Sequence, residues 1–165
     1  MDVQDKVGII THTTDCPLPI GRTVKGVVNW PRRFSHMQQH TGEHIVSGIA
    51  HKLFGAENVG FHMGTDVVTV DFDVALSAEQ VEQTELLANQ IVWENRPVEI
   101  HFPSSHELEN LQYRSKKELT GQVRIITIPR CDTCACCGTH TAFTGEVGAI
   151  KLISCQNYKG GVRIS

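Results

Sequence analysis

Trp30–Gly55 reads WPRRFSHMQQHTGEHIVSGIAHKLFG, and its reading decides the fold. The residue before a proline avoids the helical region, whereas proline itself suits a first helical turn, so the strand-like segment ahead of Trp30-Pro31 stops there. A helix is predicted from about Arg32 to Leu53, with Phe34, Met37, Ile45, Ile49 and Leu53 as its apolar positions and Gly55 closing it. Inside that helix lies His40-Thr-Gly-Glu-His44. Positions four apart sit one turn above each other on nearly the same face, so these imidazoles can reach one ion together. His36 and His40 share the same spacing, and spacing alone does not choose between the two pairs.

Outward from the helix the period changes. On the N-terminal side, strands are predicted near Gly8–Thr13 and Thr23–Asn29, around the turn-rich stretch Asp15–Gly21. On the C-terminal side, Asn58–Met63 and Val67–Phe72 read as a hairpin across Gly64-Thr-Asp66. Ser77 is an N-cap for a helix to about Glu94, with Val81, Leu86, Leu87, Ile91 and Val92 on its apolar face. Val98–Phe102 reads as a strand, Ser105–Leu111 as a short helix and Val123–Ile128 as a strand ended by Pro129. Gly148–Ser154 and Gly161–Ser165 are the last predicted strands. Helices set between strand groups that turn back on themselves define an α+β fold, with a mainly antiparallel sheet packed with helices.

The 165 residues suffice for one core of ordinary size. A net charge of -3 excludes a polycation that coats nucleic acid. Basic residues still gather at Arg32-Arg33, at Arg114 with Lys116 and Lys117, and at Lys159 and Arg163, which permits local phosphate contacts. No apolar run approaches the roughly 20 residues that span a bilayer, and the opening MDVQDKVGIITHTTD lacks the apolar stretch of a signal peptide. The expectation is a cytoplasmic protein without a membrane partner.

Of the six cysteines, Cys131, Cys134, Cys136 and Cys137 crowd into one short segment. A disulfide framework would spread its cysteines along the chain, so the cluster points to metal chemistry. Cys16 and Cys155 read as ordinary thiols. Within the cluster, Cys136-Cys-Gly-Thr-His140 again places two donors four residues apart, here around a flexible glycine after a strand. Two imidazoles from the helix, with a thiolate and a third imidazole from this loop, make the donor set of a tetrahedral Zn2+ site between a helix and a post-strand loop. Two other readings stand beside it. Cys131 and Cys134 form a C-x-x-C pair that could build a zinc knuckle with Cys136 or Cys137. His40–His44 also fits the H-x-x-E-H pattern of inverted zincins, with Glu43 as the base of a peptidase, although those enzymes complete the site with a distant carboxylate.

At these residues the chain resembles the editing domains of alanyl- and threonyl-tRNA synthetases and, above all, the free-standing AlaX-type alanyl-tRNA editing proteins. The resemblance runs through Pro17-Leu18, Gly21, Val24, Gly26, Asn29-Trp30, Arg32-Arg33 and Met37–His44. It resumes at Asp132–His140, Thr144-Gly-Glu146, Gly148, Ile150-Lys151, Lys159-Gly160 and Arg163-Ile164. It implies that 1–30 is the tail of an N-terminal β unit and that 31–165 is the editing domain, stopping at Ser165 where the family pattern continues with another strand. It also settles the histidines: His40, His44, Cys136 and His140 are the implied metal ligands, with His140 either closing the ion or standing just outside to bond a water in the fourth position, and His36 lies outside them, on a solvated helix turn or at the approach to the pocket.

The implied reaction is hydrolysis of the ester joining a wrong amino acid, chiefly serine and also glycine, to alanine tRNA. The implied partner is the acceptor end of that mischarged tRNA, held by the local arginines and lysines. A site built to hydrogen-bond the serine hydroxyl leaves buried polar groups unpaired when alanine enters, which is how an editing pocket spares the correct product. Thr41 and Thr139 adjoin ligands and are candidates to read that hydroxyl. Glu43 is a candidate base, a partner that fixes a histidine tautomer, or a solvated helix carboxylate. The rival from another class is a zinc-stabilised tRNA-binding module without catalysis.

Overall fold

The computed structural model describes residues 2–6, 8–64, 66–115 and 121–165. The chain runs through β1 (Asp2–Lys6), β2 (Ile9–Thr13), α1 (Trp30–Phe54), β3 (Asn58–Met63), β4 (Val68–Phe72) and α2 (Ala78–Trp93). It continues with β5 (Glu99–His101), α3 (Ser105–Asn110), β6 (Ile125–Ile128), β7 (Asp132–Ala135), a 3₁₀ turn (Thr144–Val147), β8 (Cys155–Tyr158) and β9 (Gly161–Ile164). β1 and β2 pair with each other, β3-β4-β9-β8 form one sheet and β5-β6-β7 another, all with antiparallel neighbours. This is the expected α+β architecture.

α1 is the axis on which the rest is built. The Asn29 side chain accepts from the Arg32 N–H at 3.2 Å, Pro31 occupies the first turn, and Gly55 ends the helix in the left-handed region at φ 65°. Every residue from Thr41 to Ala50 is buried, because α1 packs on α2, β7, the 3₁₀ turn and β3 at once. An ordinary surface helix would bury one stripe. Gly48 makes the approach to β7 feasible: a Cβ there would stand 2.7 Å from both Asp132 Cβ and the Cys131 carbonyl oxygen. Ile45, Val46 and Ile49 meet Val70, Phe72, Ile91, Val92, Val162 and Ile164 in the core.

α2 follows its predicted cap closely. The Ser77 hydroxyl accepts from the Gln80 N–H while the Gln80 side chain accepts from the Ser77 N–H, a reciprocal capping box. Its core face is Thr84, Ala88, Ile91 and Val92, whereas Leu86, expected inside, is 63 % exposed. On α1, Leu53 is likewise exposed, and Phe54 packs on the core in its place.

Three further differences have physical causes. Thr23–Asn29 is not a strand, since its β-forming residues find no partner strand among the described residues; Asp2–Lys6 takes that role beside β2. Gly148–Ser154 is not a strand either. Its backbone is satisfied by α2 side chains instead: the Ile150 N–H donates to Asn89 Oδ1 at 2.9 Å, its carbonyl accepts from Asn89 Nδ2 at 2.7 Å, and the Leu152 N–H donates to Glu85 at 2.7 Å. Finally, the segment after Pro129 does not remain a loop. Arg130, at φ 60°, turns the chain so that β7 folds back along β6 before the loop carrying Cys136 and His140 begins.

Among the described residues no helix is long and apolar enough to cross a membrane. Lys116 and Lys117 lie outside the described residues.

Candidate metal centre

α1 and the loop after β7 bring together the four donors that the two motifs supply. One ligand atom from each of His40, His44, Cys136 and His140 lies within 4.8 Å of every other. The three imidazoles crowd face and edge: His40 stacks on His140 with ring centroids 4.2 Å apart, and His44 meets His140 edge-on at 4.6 Å. Phe61 of β3 also stacks on His40, at 5.6 Å. Gly138 leaves room for this packing, since a Cβ there would collide with the His40 ring. The guanidinium of Arg124 donates to the carbonyls of Cys136 and Gly138, both at 2.8 Å, and so fixes the loop's course.

Each imidazole is held by its Nδ1. His40 Nδ1 donates to the Thr139 carbonyl at 3.2 Å, and His44 Nδ1 to Asp132 Oδ2 at 2.9 Å, because neither oxygen can donate in return. His140 Nδ1 lies 3.4 Å from the Thr41 hydroxyl oxygen. This arrangement leaves Nε2 of all three rings for the centre of the cluster. His40 Nε2 sits 3.5 Å from Cys136 Sγ, and His140 Nε2 is buried with no hydrogen-bond partner. A buried ring nitrogen without a partner costs free energy, and a cation that meets its lone pair among these four atoms would relieve it. The donors therefore fit a metal ion, and the group could hold one.

The electrostatics agree with the geometry. Burial pushes the Cys136 thiol up, but His140, His40, His44 and the Gly138 N–H more than offset this and bring it down to about 3, so a thiolate is ready at neutral pH. Burial pushes His44 down, yet Asp132, Cys136 and Glu43 raise it to about 9. His140 is lowered, first by burial and then by the neighbouring imidazoles. Asp132 is lowered: burial alone would raise it, but the hydrogen bonds and charges of His44 and Arg114 outweigh this. The sequence groups Arg114 with Lys116 and Lys117 as a basic cluster open to phosphate contacts. Instead it is buried, with Nε 2.8 Å from Asp132 Oδ1 and its second amino nitrogen 2.9 Å from Oδ2.

Cys134 falls with His44 and Asp132 in a second group that could hold a metal ion, and the other cysteines stay apart. Burial raises the thiols of Cys131 and Cys134 to about 12, and their Sγ atoms face the Ile45 and Ala135 carbonyls. No potential metal-binding group among the described residues contains Cys131 or Cys137, so the C-x-x-C knuckle is not assembled. Cys16 and Cys155 are exposed free thiols.

Glu43 is not a solvated helix carboxylate. It is 5 % exposed, accepts from the Ser47 hydroxyl at 2.7 Å and from the Asn58 amide, and places Oε2 3.9 Å from His44 Nε2. Asn58 also donates to the Ser47 hydroxyl oxygen at 2.9 Å, closing a buried polar triangle. Thr41 is fully buried; its hydroxyl oxygen accepts from the Thr141 N–H at 3.0 Å and also meets the Thr141 hydroxyl. Thr139 is exposed at the loop surface. His36 is exposed too and lines a cleft of about 400 Å³ between α1, β4 and the segment before β8. Glu43 belongs to the wall of that cleft, whereas none of the four donors does.

Sequence reasoning places Arg114 only in a basic cluster and Asp132 only within the resemblance, and gives Asn58 and Ser47 no part in the site. Asp132 alone carried a local signal, as the one acid inside the cysteine cluster.

The sequence belongs to a known class. Residues 123–165 match the threonyl and alanyl tRNA synthetase second additional domain. The chain is 33 % identical over 152 residues to the alanyl-tRNA editing protein Aarsd1 of Mus musculus, a match covering 90 % of this chain and 37 % of that protein. It is 31 % identical over 163 residues to the alanyl-tRNA editing protein AlaX-M of Methanosarcina acetivorans, covering 94 % and 66 %. An alanine–tRNA ligase of Thermofilum pendens is 35 % identical over 167 residues, 95 % of this chain and 18 % of the ligase. The chain belongs to the alanyl-tRNA editing protein family, with its synthetase-related domain. It spans little more than a third of the mouse relative's length.

Proposed function

We propose that this protein is a zinc-dependent editing hydrolase that frees alanine tRNA from a wrongly attached serine, and from glycine as a second passenger. The observation that carries the reading is the convergence of three imidazole Nε2 atoms and the Cys136 thiolate, donors from two motifs almost a hundred residues apart, around a buried unpartnered nitrogen. The membership of the chain among alanyl-tRNA editing proteins supports the choice of substrate.

His40, His44, Cys136 and His140 hold the ion in this reading. A zinc ion held there would supply Lewis acidity to the site. Glu43 takes the proton from the attacking water, since its Oε1 is fixed by Ser47 and Asn58 while Oε2 lies 3.9 Å from His44 Nε2. As the ester C–O bond breaks, that proton passes to the ribose oxygen, giving free amino acid and intact tRNA. Thr41, sealed in the interior, steadies His140. Thr139 stands at the open side and reads the substrate hydroxyl, and exposed Arg32 and Arg33 at the start of α1 offer charge for the acceptor end.

Metal analysis and a deacylation assay test this together. About one zinc per chain is expected, along with release of serine from Ser-tRNA(Ala); Cys136→Ala should lose both. Zinc binding without ester loss above the buffer rate would overturn the hydrolase reading and favour a binding module. Unchanged zinc affinity in Cys136→Ala would overturn the site itself.

A further inference from the structure

Among the described residues, one imidazole of the cluster has its Nδ1 on an ionised group. The Nδ1 atoms of His40 and His140 face a backbone carbonyl and a threonine hydroxyl, while that of His44 faces the carboxylate of Asp132 at 2.9 Å. We infer that Asp132, clamped by Arg114, is the positioning residue of this site: it keeps the proton on His44 Nδ1 and aims Nε2, lone pair outward, at the metal position. The inference rests on reading His40, His44, Cys136 and His140 as a metal site, and deepens that reading.

The carboxylate has little freedom. Arg114 grips both oxygens, one contact of 2.8 Å and one of 2.9 Å, a two-point fork that fixes the plane of the group as a single ammonium would not. Both side chains are nearly sealed, 8 % and 3 % exposed, so each needs the other; removing either would strand a buried charge. Arg114 itself is tied by its backbone. Its N–H donates to the Thr133 carbonyl and its carbonyl accepts from the Ala135 N–H, both at 2.9 Å, so it rides beside β7 and cannot drift from Asp132.

The carboxylate also reaches His44 only because Gly48, one turn further along α1, has no side chain. A Cβ at that position would meet Asp132 Cβ at 2.7 Å. Helix, strand and the stretch before the strand pair thus converge on a single hydrogen bond. An acceptor carrying full charge enriches the electron density of the ring it serves, making His44 the strongest nitrogen donor of the set.

The arithmetic of donors and acceptors supplies the test. Asp132→Asn has nearly the same size, but one oxygen cannot serve the two-point fork of Arg114 and His44 together. If the amide oxygen turns to Arg114, the amide NH₂ faces His44 Nδ1 and drives the proton to Nε2, the atom needed for the metal. Zinc affinity, read by competition with a chromophoric chelator, should fall about 10–100-fold. In zinc-loaded ¹⁵N-labelled wild-type protein, long-range proton–nitrogen correlation should place the His44 proton on Nδ1. Should Asp132→Asn fail to fold, Arg114→Lys carries the test, with a smaller but measurable loss expected. Wild-type affinity in the folded variant, or a wild-type His44 proton found on Nε2, would overturn the positioning role while leaving the metal site standing. A wild-type chain that takes up no zinc would overturn both, and the two failures are thereby distinguished.

Discussion

The two long helices of this protein pack against each other and bury opposite kinds of chemistry. α2 behaves as a surface helix should: a capped start, a stripe of Ala88, Ile91 and Val92 against the core, and Thr84, its one buried polar side chain, bonded back to the Gln80 carbonyl. α1 buries ten consecutive residues, and Thr41, Glu43, His44 and Ser47 among them are polar. Each of those four has its partner on another element or in the same network: Thr141, Asn58, Asp132 and Glu43. Buried polar groups cost free energy unless fully satisfied, so a helix that carries four of them through the middle of a domain is shaped by chemistry as well as by packing.

That contrast predicts different responses to substitution. The largest effect should come from Glu43→Gln on α1. Serine release should fall by about 10²–10⁴-fold while zinc content stays at the wild-type level; a rate within threefold of wild type would break the contrast at its centre. On α2, Ile91→Ala should cost about 2–5 kcal/mol in urea unfolding, with zinc affinity of the folded protein unchanged. A large loss of affinity there would mean that α2 tunes the site as well as the core.

The smallest effect lies at Asp71 of β4, away from both helices. Arg163 holds this carboxylate below its ordinary value, through contacts of 2.6 and 2.8 Å. A depressed folded pKa means stability that is present above the unfolded carboxylate range and is lost as pH falls through the folded value. Metal-free wild type should therefore melt above Asp71→Asn at pH 7 by no more than about 3 °C, a gap that closes as the pH drops towards 3. A gap that widened in acid would have the wrong sign.

What could be read from the chain beforehand follows the range of each interaction. Pro31 and Gly55 bracket α1, Ser77 caps α2 and Asn58–Met63 alternates as a strand, because these signals act within a few residues. β7 escaped detection because Asp-Thr-Cys-Ala has little β-character, and it is a strand only through β6. Gly148–Ser154 misled in the opposite sense, since its apolar residues lie along α2 and its backbone bonds to Asn89 and Glu85. At the site, the two four-residue spacings left His36 beside His40 and His44 as a candidate, and the family resemblance singled out His40, His44, Cys136 and His140. Arg114, Asn58 and Ser47 were not legible there, for nothing in their neighbourhoods shows that tertiary contact will make them partners of Asp132 and Glu43.

The meeting of His40 with Cys136, 96 residues apart in sequence, has a consequence for how the chain holds together. An ion gripped by both motifs is a cross-link around a loop of that size, and tying such a loop removes conformational freedom from the unfolded chain worth about 4–5 kcal/mol in the polymer picture used for disulfides. Everything from β3 to β7 lies inside that loop. The same four side chains proposed for the chemistry would thus also act as the buckle of the domain.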